Sequence, residues 1–541
     1  MEKDEGAFDI IVIGTGLTES IAAAALSKAG FKVAQLDESP YYGADEASLA
    51  QDEFLQWQDR QCSPHDIFSS HSRSTSDVLP QSRQYSLSLL PSIIPSTGPL
   101  ITSLIQSGVS RYGGFRMIEE VAMYHPSGAV KAVPGSKEDI FKDKSITLVD
   151  KRRLMRFLKF ASEEFEDSKE LEGKQEQGFY EFLKSTFSLN DDMTNAIVYA
   201  LSYCQSPSDP TIGALQRLRR YLRSAGRYGR SPFLVGHYGS AGEIAQGFCR
   251  SSAVSGGVYI LGRKIIYVKR AADEGQQQYA IQMDEFPELL TCKALISSAS
   301  RIPVDLLPAE QLSQLRKAPG SASIARCITI IDQPISFLPP GHEPTPPEPA
   351  DEEESEEDAT PPIPKSMDVG ILIFPPSSLP SGKAAASVDV LIVGEGTMST
   401  PQGKWILYIT TLNPEGEPPE TLLRPYLDAT LSLRKDSTDP VTPLFTSFYN
   451  QRAPSPSHAS SSPLSPSTSP SLKIAEPELP NYILVPQLPQ QPLPEPPDIA
   501  NVNAEKVFWD VIRLLRPESL DRAEPPTFWP PLPNEEEEED L

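Results

Sequence analysis

Three observations predict an α/β protein in which a discontinuous Rossmann-like domain, of the type that binds FAD or NAD(P), carries an inserted helical domain. The first is a strand–helix–strand pattern over residues 8–37. The second is the order of the later elements, because helical periodicity over residues 151–224 is followed by strand patterns from residue 257 onwards. The third is a series of Pro-, Ser- and Glu-rich stretches between these parts, whose composition is typical of disordered segments.

The N-terminal pattern has the layout of a dinucleotide-binding βαβ unit. Residues 8–13 form an apolar run that predicts a buried strand, and Gly14-Thr15-Gly16 predicts the tight turn into a helix. A second predicted strand, over 31–36, is followed by Asp37. This acid lies about 20 residues beyond the glycines, where the ribose-binding acid of such units is found.

Glu19 occupies the third position of the G-x-G-x-x-G fingerprint, where a glycine normally lets the helix lie close to the sheet. A carboxylate near the helix N-terminus also competes with a pyrophosphate, because the helix dipole there favours one anion. We therefore expect the fold to be kept and the cofactor to be lost. Asp37 is then either the ribose-binding acid or a solvated residue at the end of a strand, and the second interpretation is favoured.

Changes in composition divide the chain into eight predicted parts. In chain order they are a Rossmann-like first part (1–140) with a flexible insertion (63–88), a helical domain (141–228), a second Rossmann-like part (229–338), a disordered acidic and Pro-rich linker (339–365), a third Rossmann-like part (366–450), a Ser/Pro-rich flexible segment (451–500), a C-terminal helix (501–522) and an acidic tail (523–541). Helices are predicted at 151–166, 191–204, 211–224 and 504–515, and later strands at 115–133, 257–268, 279–283, 295–298, 324–331, 388–393 and 405–411.

Charge and composition limit the classes of partner. The 541 residues carry a net charge of −25, and residues 351–358 and 535–540 together supply thirteen of the acids. Such acidity argues against nucleic acid, which requires a basic surface. The same acidity is compatible with a chemically basic partner.

The cysteines and the apolar runs predict a reduced, cytoplasmic protein. The five cysteines are widely spaced and include no C-x-x-C pair, so neither a disulfide framework nor a zinc site is expected. No apolar run approaches the ~18 residues of a membrane span, and neither a secretory leader nor a prenylation box is recognisable. Any membrane contact is therefore expected to be peripheral.

The predicted helical domain has apolar stripes at helical spacing. Leu154 and Leu158 lie on one stripe, and Ile197 and Leu201 lie on another. Such stripes indicate either the core of a helix bundle or the lining of a lipid-binding crevice, and spacing alone favours the core.

Six arginines lie between Arg217 and Arg230 in this otherwise acidic chain. A run of charge is usually a solvated face, which is the favoured interpretation. The alternative is a docking surface for an acidic protein, since arginine is enriched at interfaces.

Recognisable catalytic motifs are missing from the sequence. It contains six histidines but no H-E-x-x-H, G-x-S-x-G or P-loop motif, and no residues are predicted to be catalytic or to bind metal. With the dinucleotide fingerprint also altered, the residues favour a binding protein built on an enzyme-like fold.

Several motifs together resemble the Rab GDP-dissociation inhibitor and Rab escort protein superfamily. They cover residues 8–300 strongly and the later strands loosely. The matching segments are 8–20, which includes Thr18-Glu19, then 39–43, 133–136, 151–158, 227–234, 242–250 and 256–261.

The escort branch fits this sequence better than the inhibitor branch. The chain is longer than an inhibitor, has a predicted insertion after the βαβ unit, and reads Phe248-Cys249-Arg250 where inhibitors usually have Phe-Ala-Arg. Two alternatives stay open. One is a GDP-dissociation inhibitor that recycles prenylated Rabs, and the other is a flavin-dependent oxidoreductase of the amine-oxidase type.

The resemblance implies a non-catalytic accessory subunit of Rab geranylgeranyltransferase that uses no cofactor. Such a protein binds unprenylated, GDP-bound Rab and presents its C-terminal cysteines to the αβ heterodimer of the transferase. It then carries the prenylated Rab to a membrane, so a cytoplasmic protein with transient membrane contact is expected. The family's Rab-binding positions correspond here to Tyr42, Glu243, Arg250 and Ile260.

The resemblance also gives the helical domain a role. In this family the domain holds the geranylgeranyl lipid and, in escort proteins, contacts the transferase α subunit. Leu154, Leu158, Ile197 and Leu201 then become candidates for the lipid crevice. Arg219 and Arg220 become candidates for transferase docking.

Overall fold

The computed structural model describes residues 6–60, 67–135, 140–141, 146–270, 278–316, 322–337, 367–434, 439–453, 479–489, 493–522 and 524–531 of the chain. Within these ranges the backbone forms two large sheets, two small ones and a group of helices. The strands are β1 (Ala7–Ile13), β2 (Val33–Asp37), β3 (Ser48–Leu49), β4 (Phe68–Arg73), β5 (Leu87–Ser88), β6 (Ile94–Pro95), β7 (Phe115–Met117), β8 (Glu120–Tyr124), β9 (Val130–Ala132), β10 (Phe233–Gly236), β11 (Val258–Leu261), β12 (Ile265–Arg270), β13 (Tyr279–Met283), β14 (Leu290–Ser298), β15 (Ala322–Ile331), β16 (Val369–Phe374), β17 (Val388–Val393), β18 (Trp405–Leu412), β19 (Phe445–Ala453) and β20 (Tyr482–Val485).

The α-helices lie between these strands and after the last of them. They are α1 (Leu17–Lys28), α2 (Gln51–Asp59), α3 (Pro99–Ser107), α4 (Leu148–Ser162), α5 (Phe179–Phe187), α6 (Asp191–Asn195), α7 (Thr211–Ser224), α8 (Ala241–Val254), α9 (Ala309–Arg316), α10 (Pro419–Leu431) and α11 (Pro496–Leu515). A π-helical turn, Ala196–Leu201, continues α6.

The first large sheet contains the predicted βαβ unit. Its strands follow the order β11-β2-β1-β14-β13-β12, and β20 also pairs with β14. The strands β11, β2, β1, β14 and β20 are parallel, whereas β12 and β13 form an antiparallel extension. Helix α1 packs against α8 and α11, and its run from Ala22 to Ala25 is fully buried, because small side chains allow close approach of neighbouring helices. The βαβ prediction for residues 8–37 is confirmed.

The second large sheet has the order β4-β19-β15-β18-β17-β16-β8-β9. All its pairs are antiparallel except β16 with β8. Residues 366–450, predicted as a third Rossmann-like part, contribute β16, β17, β18 and most of β19 to this second sheet and none of the strands of the first. An apolar strand that is buried on both faces, such as β16, has the same sequence pattern in either sheet.

Strand β4 corrects the prediction of a flexible insertion over 63–88. It is an edge strand paired with β19, and His71 packs against Trp57, with ring centroids 4.9 Å apart. Residues 61–66, which include Cys62 and His65, lie outside the described residues. Polar residues are common on edge strands, so composition alone suggested disorder here.

The helical domain is formed by α4 to α7 and the π-helical turn. Its core contains Phe157, Phe179, Phe182 and Phe187, whose rings contact one another. Helix α7 has the predicted bounds, whereas α4 begins at Leu148 and ends at Ser162. Helix α5 was not among the predicted helices.

The C-terminal region is more ordered than its composition suggests. Strand β20 joins the first sheet, and α11 begins at Pro496, so the predicted flexible segment 451–500 is wrong over these residues. Beyond α11, Trp529 packs on Phe248 and its Nε1 donates a hydrogen bond to Ser103 Oγ at 2.7 Å. The acidic run of the predicted tail and the linker 339–365 lie outside the described residues. No helix in the described ranges has the length and apolarity that crossing a membrane requires.

Candidate functional site

The altered dinucleotide fingerprint lies where β1 meets α1. Gly14 has a φ of +107°, a backbone conformation that favours glycine, and its N–H donates to the Leu36 carbonyl at 2.7 Å. Helix α1 begins at Leu17, so the first free N–H groups of the helix point towards this turn.

Asp37 is buried at the carboxyl end of β2, so the prediction of a solvated strand-end residue is wrong. Its Oδ2 accepts hydrogen bonds from the Thr15 backbone N–H at 2.8 Å and from Thr15 Oγ1 at 2.7 Å. Its Oδ1 accepts from the Ser39 N–H at 2.9 Å. The carboxylate is thus engaged by the protein at the position where a ribose-binding acid would face its ligand.

Glu46 reaches the N-terminus of α1 from a 3₁₀ turn, Ala44–Glu46. Its Oε2 accepts a hydrogen bond from the Leu17 N–H at 3.2 Å. Burial, followed by the proximity of Glu19 and Asp45, raises the pKa of Glu46 to about 8. A protein carboxyl group therefore occupies the helix terminus that would otherwise bind a phosphate.

Glu19 points back into the same space. A Cβ on Gly16 would lie 2.7 Å from Glu19 Oε2 and 2.9 Å from Glu46 Oε2, so the two carboxyl groups converge on this glycine. Burial raises the pKa of Glu19 to about 7. Glu19, Asp37, Asp45 and Glu46 are called the carboxyl cluster below.

Arg301, from a 3₁₀ turn after β14, faces the carboxyl cluster. Its Nη1 lies 3.4 Å from Asp37 Oδ1 and its Nη2 lies 3.3 Å from Asp45 Oδ1. Burial alone would lower the pKa of this guanidinium, but the surrounding carboxyl groups raise it. The Arg301 Cδ also lies 3.0 Å from where a Gly14 Cβ would be, so the side chain covers the glycine turn.

These residues do not fit the pyrophosphate of FAD or NAD(P). The helix terminus already has a carboxyl group as its hydrogen-bond partner, the glycine turn is covered, and four carboxyl groups lie around the place that a pyrophosphate would occupy. Another anion brought here would be repelled and would have to displace internal hydrogen bonds.

The loop that carries Tyr42 is tied to this region. The Gly43 N–H donates to the Thr15 carbonyl at 3.1 Å, and a Cβ on Gly43 would lie 3.0 Å from the Cα of Gly242 in α8. The half-buried Tyr42 ring contacts Tyr259 edge-to-face, with centroids 6.0 Å apart. The loop is thus held between α1 and the first turn of α8.

Helix α8 carries the two charged candidates. Glu243 is in its first turn and Arg250 follows seven residues later, a spacing that puts both on one face of the helix. Arg250 is exposed, and its guanidinium lies 4.5 Å from the centroid of the Tyr112 ring. Partial burial raises the pKa of Glu243. Tyr42, Glu243 and Arg250 are called the Tyr42–α8 platform below.

The structure does not bring Ile260 into this platform. Ile260 is paired with Leu36 in β11 and packs on the cluster formed by Phe8, Ile11 and neighbouring residues. Its neighbour Tyr259 is the residue that contacts Tyr42. Successive side chains of a strand point to opposite faces, so only one of the two can face α8. Sequence reasoning missed Tyr259, which strand alternation could have indicated.

The four candidate lipid-crevice residues lie in or against the packed core of the helical domain. Leu154, Leu158 and Ile197 are buried, and Leu201 packs against them while partly exposed. This arrangement agrees with the bundle-core interpretation of the stripes. A lipid-binding role for them stays a prediction.

The arginine-rich helix α7 is not simply a solvated face. Arg219 forms two hydrogen bonds with the Glu166 carboxylate, at 2.6 and 3.0 Å, and lies over the Phe165 ring. Arg220 is paired with Glu495, a buried residue just before α11. Both arginines are thus paired within the chain, Arg219 near the surface and Arg220 with a buried carboxylate, which makes Arg220 unsuitable as a freely exposed docking residue.

The other titratable groups form no recognisable centre. Cys204, Cys249, Cys292 and Cys327 are buried free thiols, and burial raises their pKa values. Within the described ranges, no group of three His, Cys, Asp or Glu side chains is arranged to hold a metal ion.

Comparisons with known proteins identify relatives. The family model of the GDP dissociation inhibitors, GDI, matches residues 1–340. "Rab proteins geranylgeranyltransferase component A" of Drosophila melanogaster is 35% identical over 315 residues, which cover 55% of this chain and 60% of that protein. The Saccharomyces cerevisiae protein of the same name is 27% identical over 410 residues, covering 74% and 61%. Component A 1 of Homo sapiens is 32% identical over 270 residues, covering 50% and 41%.

The chain thus spans about three fifths of the fly and yeast relatives and about two fifths of the human one. Solved structures support the fold. The Rab GDI of Plasmodium falciparum has a TM-score of 0.57 at 19% identity, covering 82% of this chain and 89% of its own. An oxidoreductase from Methanosarcina mazei has a TM-score of 0.52 at 15% identity, covering 93% and 100%.

The family model covers well over half of the chain, including β1, the glycine turn, the Tyr42 loop and α8. The chain belongs to the GDP dissociation inhibitor family.

Proposed function

We propose that this chain is a Rab escort protein. It binds unprenylated, GDP-bound Rab GTPases and presents them to the Rab geranylgeranyltransferase αβ heterodimer for geranylgeranylation of their C-terminal cysteines. It acts as a non-catalytic accessory subunit on a discontinuous Rossmann-like fold with an inserted helical domain. Membership of the GDI family and the names of the fly, yeast and human relatives support this role.

The Tyr42–α8 platform is the observation that carries the proposal. It combines an aromatic ring, a half-buried carboxyl and an exposed guanidinium on elements held to each other. Aromatic and arginine side chains dominate binding energy at interfaces, and opposite charges fix the orientation of the partner. We assign Tyr42, Glu243 and Arg250 to Rab binding, with Ile260 contributing from the far face of the edge strand β11.

The helical domain supplies the second half of the function. We propose that it accepts the geranylgeranyl lipid of the bound Rab when the core around Leu154, Leu158, Ile197 and Leu201 opens. Arg219 is proposed to contact the transferase, because its pairing with Glu166 is near the surface and can be exchanged at small cost. The chain then works in the cytoplasm and contacts membranes transiently when it delivers the prenylated Rab.

A reconstitution tests the role directly. Unprenylated Rab-GDP, a geranylgeranyl donor and the purified αβ heterodimer are combined with and without the chain, and lipid transfer to Rab is measured. Strong dependence on the chain is expected. The platform variant Arg250→Ala should lose stimulation, whereas Arg513→Ala, an exposed arginine in the last turn of α11, should retain it.

A GDP-dissociation inhibitor is the second candidate, since the matched family model is named for that activity. It would bind prenylated Rab, extract it from membranes and show little preference for the unprenylated form. If the chain binds prenylated Rab but does not stimulate lipid transfer to unprenylated Rab, it is a GDP-dissociation inhibitor. The carboxyl cluster opposes the third candidate, a flavin oxidoreductase, because it occupies the phosphate path.

A further inference from the structure

A cavity of about 340 Å³ remains open beside the carboxyl cluster. Its floor is formed by Ile13 and Leu36, at the carboxyl ends of β1 and β2. Its walls come from the start of β12 and from residues 300–305 after β14. This volume lies within the range of about 300–1,000 Å³ found for small-molecule sites.

The position of the cavity in the sheet is that of a ligand site. Strand β1 pairs with β2 on one side and with β14 on the other, both in parallel. Open α/β sheets bind ligands outside the carboxyl ends of their strands, where the chain turns from one side of the sheet to the other. In dinucleotide-binding sheets the acid at the end of β2 marks the nucleoside half of that site.

The walls of the cavity combine apolar and acidic groups. Ile265 and Val304 present branched apolar surface, which suits the flat face of an aromatic base. The carboxylates of Glu38 and Asp305 provide acceptors for hydroxyl or amino donors. Glu38 is exposed, and its Oε1 lies 3.4 Å from the Ile265 N–H.

The cations that line the cavity are already engaged. Arg301 is paired with Asp37 and Asp45, and Arg316 Nη2 donates to the Ile302 carbonyl at 2.7 Å. On the side towards α1, the Glu46 carboxyl accepts the hydrogen bond from the Leu17 N–H, which is therefore not free to bind a phosphate. The cavity is thus suited to an uncharged ligand with hydrogen-bond donors and an apolar ring system.

We propose that this cavity binds an uncharged purine nucleoside. The inference is independent of Rab binding, since the platform residues do not line the cavity. The base packs against Ile265 and Val304, the ribose hydroxyls donate to the acidic rim, and the carboxyl cluster excludes a 5′-phosphate. The glycine turn has thus lost its phosphate function while the nucleoside half of the crevice has stayed open.

Isothermal titration calorimetry on the full chain, without Rab, tests this with adenosine, uridine, ADP and FAD as probes. Saturable binding of adenosine is expected, and ADP should bind at least about tenfold more weakly because its phosphates meet the carboxyl cluster. Absence of adenosine binding at millimolar concentration would overturn the proposal. ADP binding as tight as that of adenosine would overturn the exclusion of phosphate, and equal uridine binding would overturn the assignment to purines.

Two variants locate the bound probe. Glu38→Ala, at an exposed position, should weaken adenosine about tenfold, the usual effect of losing a hydrogen bond to a charged group. Ile266→Trp should fill the mouth of the cavity and reduce binding further. Glu518→Ala, exposed and remote, is the control and should bind adenosine normally. Unchanged affinity in both cavity variants, with unfolding temperatures like that of the unmodified chain, would refute the site.

The platform variant Tyr42→Ala separates this proposal from the proposed function. It should bind adenosine like the unmodified chain whatever its effect on Rab. Loss of adenosine binding in a folded Tyr42→Ala variant would contradict the independence of the two sites.

Discussion

Glu46 accepts a hydrogen bond from the first N–H of α1, at Leu17, across 3.2 Å. This contact joins the loop that carries Tyr42 to the helix terminus that binds phosphate in related folds. The same carboxyl group therefore occupies the place of a pyrophosphate and also holds the loop that carries Tyr42 of the Tyr42–α8 platform.

The pair formed by Glu19 and Glu46 should make stability depend on pH. Their pKa values are raised to about 7 and about 8, so the folded chain holds protons that the unfolded chain releases above about pH 4.5. The stabilisation is complete below that pH and is lost as the pH rises through 7 to 8. Because one pKa unit corresponds to about 1.4 kcal/mol, we expect a decline of a few kcal/mol in the free energy of unfolding.

Urea unfolding from pH 5 to pH 8.5 measures this dependence. Glu46→Gln keeps the shape of the side chain without its charge and should flatten the curve, whereas Glu518→Gln, an exposed control, should leave it unchanged. Burial also raises the pKa of Asp498 to about 7, so other acids contribute to the pH dependence of the unmodified chain. The test is therefore the difference between the Glu46→Gln curve and the curve of the unmodified chain. A Glu46→Gln curve parallel to that of the unmodified chain would reject the explanation.

The Tyr42–α8 platform should determine Rab affinity without determining the fold. Tyr42→Ala and Arg250→Ala each remove a contact of the kind that costs about 2 kcal/mol at an interface, which corresponds to roughly 30-fold weaker binding. Affinity for GDP-bound Rab, measured by fluorescence, and thermal unfolding check both parts. Rab affinity that stays the same in both variants would disprove the assignment, and Arg513→Ala serves as the control.

The ion pair between Arg220 and Glu495 should support the contact between the helical domain and α11. Glu495 is 1% exposed, so Arg220→Ala removes the cation paired with a buried carboxylate, which keeps its hydrogen bond from the Tyr221 hydroxyl. We expect the free energy of unfolding to fall by about 3 kcal/mol. Arg223→Ala, three residues along α7 and exposed, should change it by less than about 0.5 kcal/mol. Equal losses in the two variants, measured by urea unfolding, would contradict a special role for this pair.

Arg219 should affect assembly with the transferase. Arg219→Glu reverses a charge near the surface of α7, and we expect about tenfold weaker binding to the αβ heterodimer with little change in stability, because surface ion pairs contribute about 0–1 kcal/mol. Surface plasmon resonance with immobilised heterodimer measures the affinity. The double variant Arg219→Glu/Glu166→Arg restores the internal pair, so recovery of binding in it would show that the fold, and not docking, was affected.

Local patterns were sufficient for the elements whose contacts are short-range. The βαβ unit, α7 and strands such as β13 and β17 were predicted within a few residues, because strand alternation, helical periodicity and the glycine turn lie within a short stretch of chain. The altered fingerprint at Glu19 likewise indicated a site poorly suited to a pyrophosphate before any contact was known.

The sequence by itself therefore determined the βαβ unit, the acidic character of the chain and the family resemblance that led to Tyr42, Glu243 and Arg250. Tertiary structure decided which sheet each later strand joins, that Asp37 and Arg220 are engaged internally, and that Tyr259 rather than Ile260 contacts Tyr42. The physical reason is that strand pairing, burial of charge and the facing of side chains depend on partners that are distant in sequence. Glu46, 29 residues from Leu17, carries no local signal of the helix it caps.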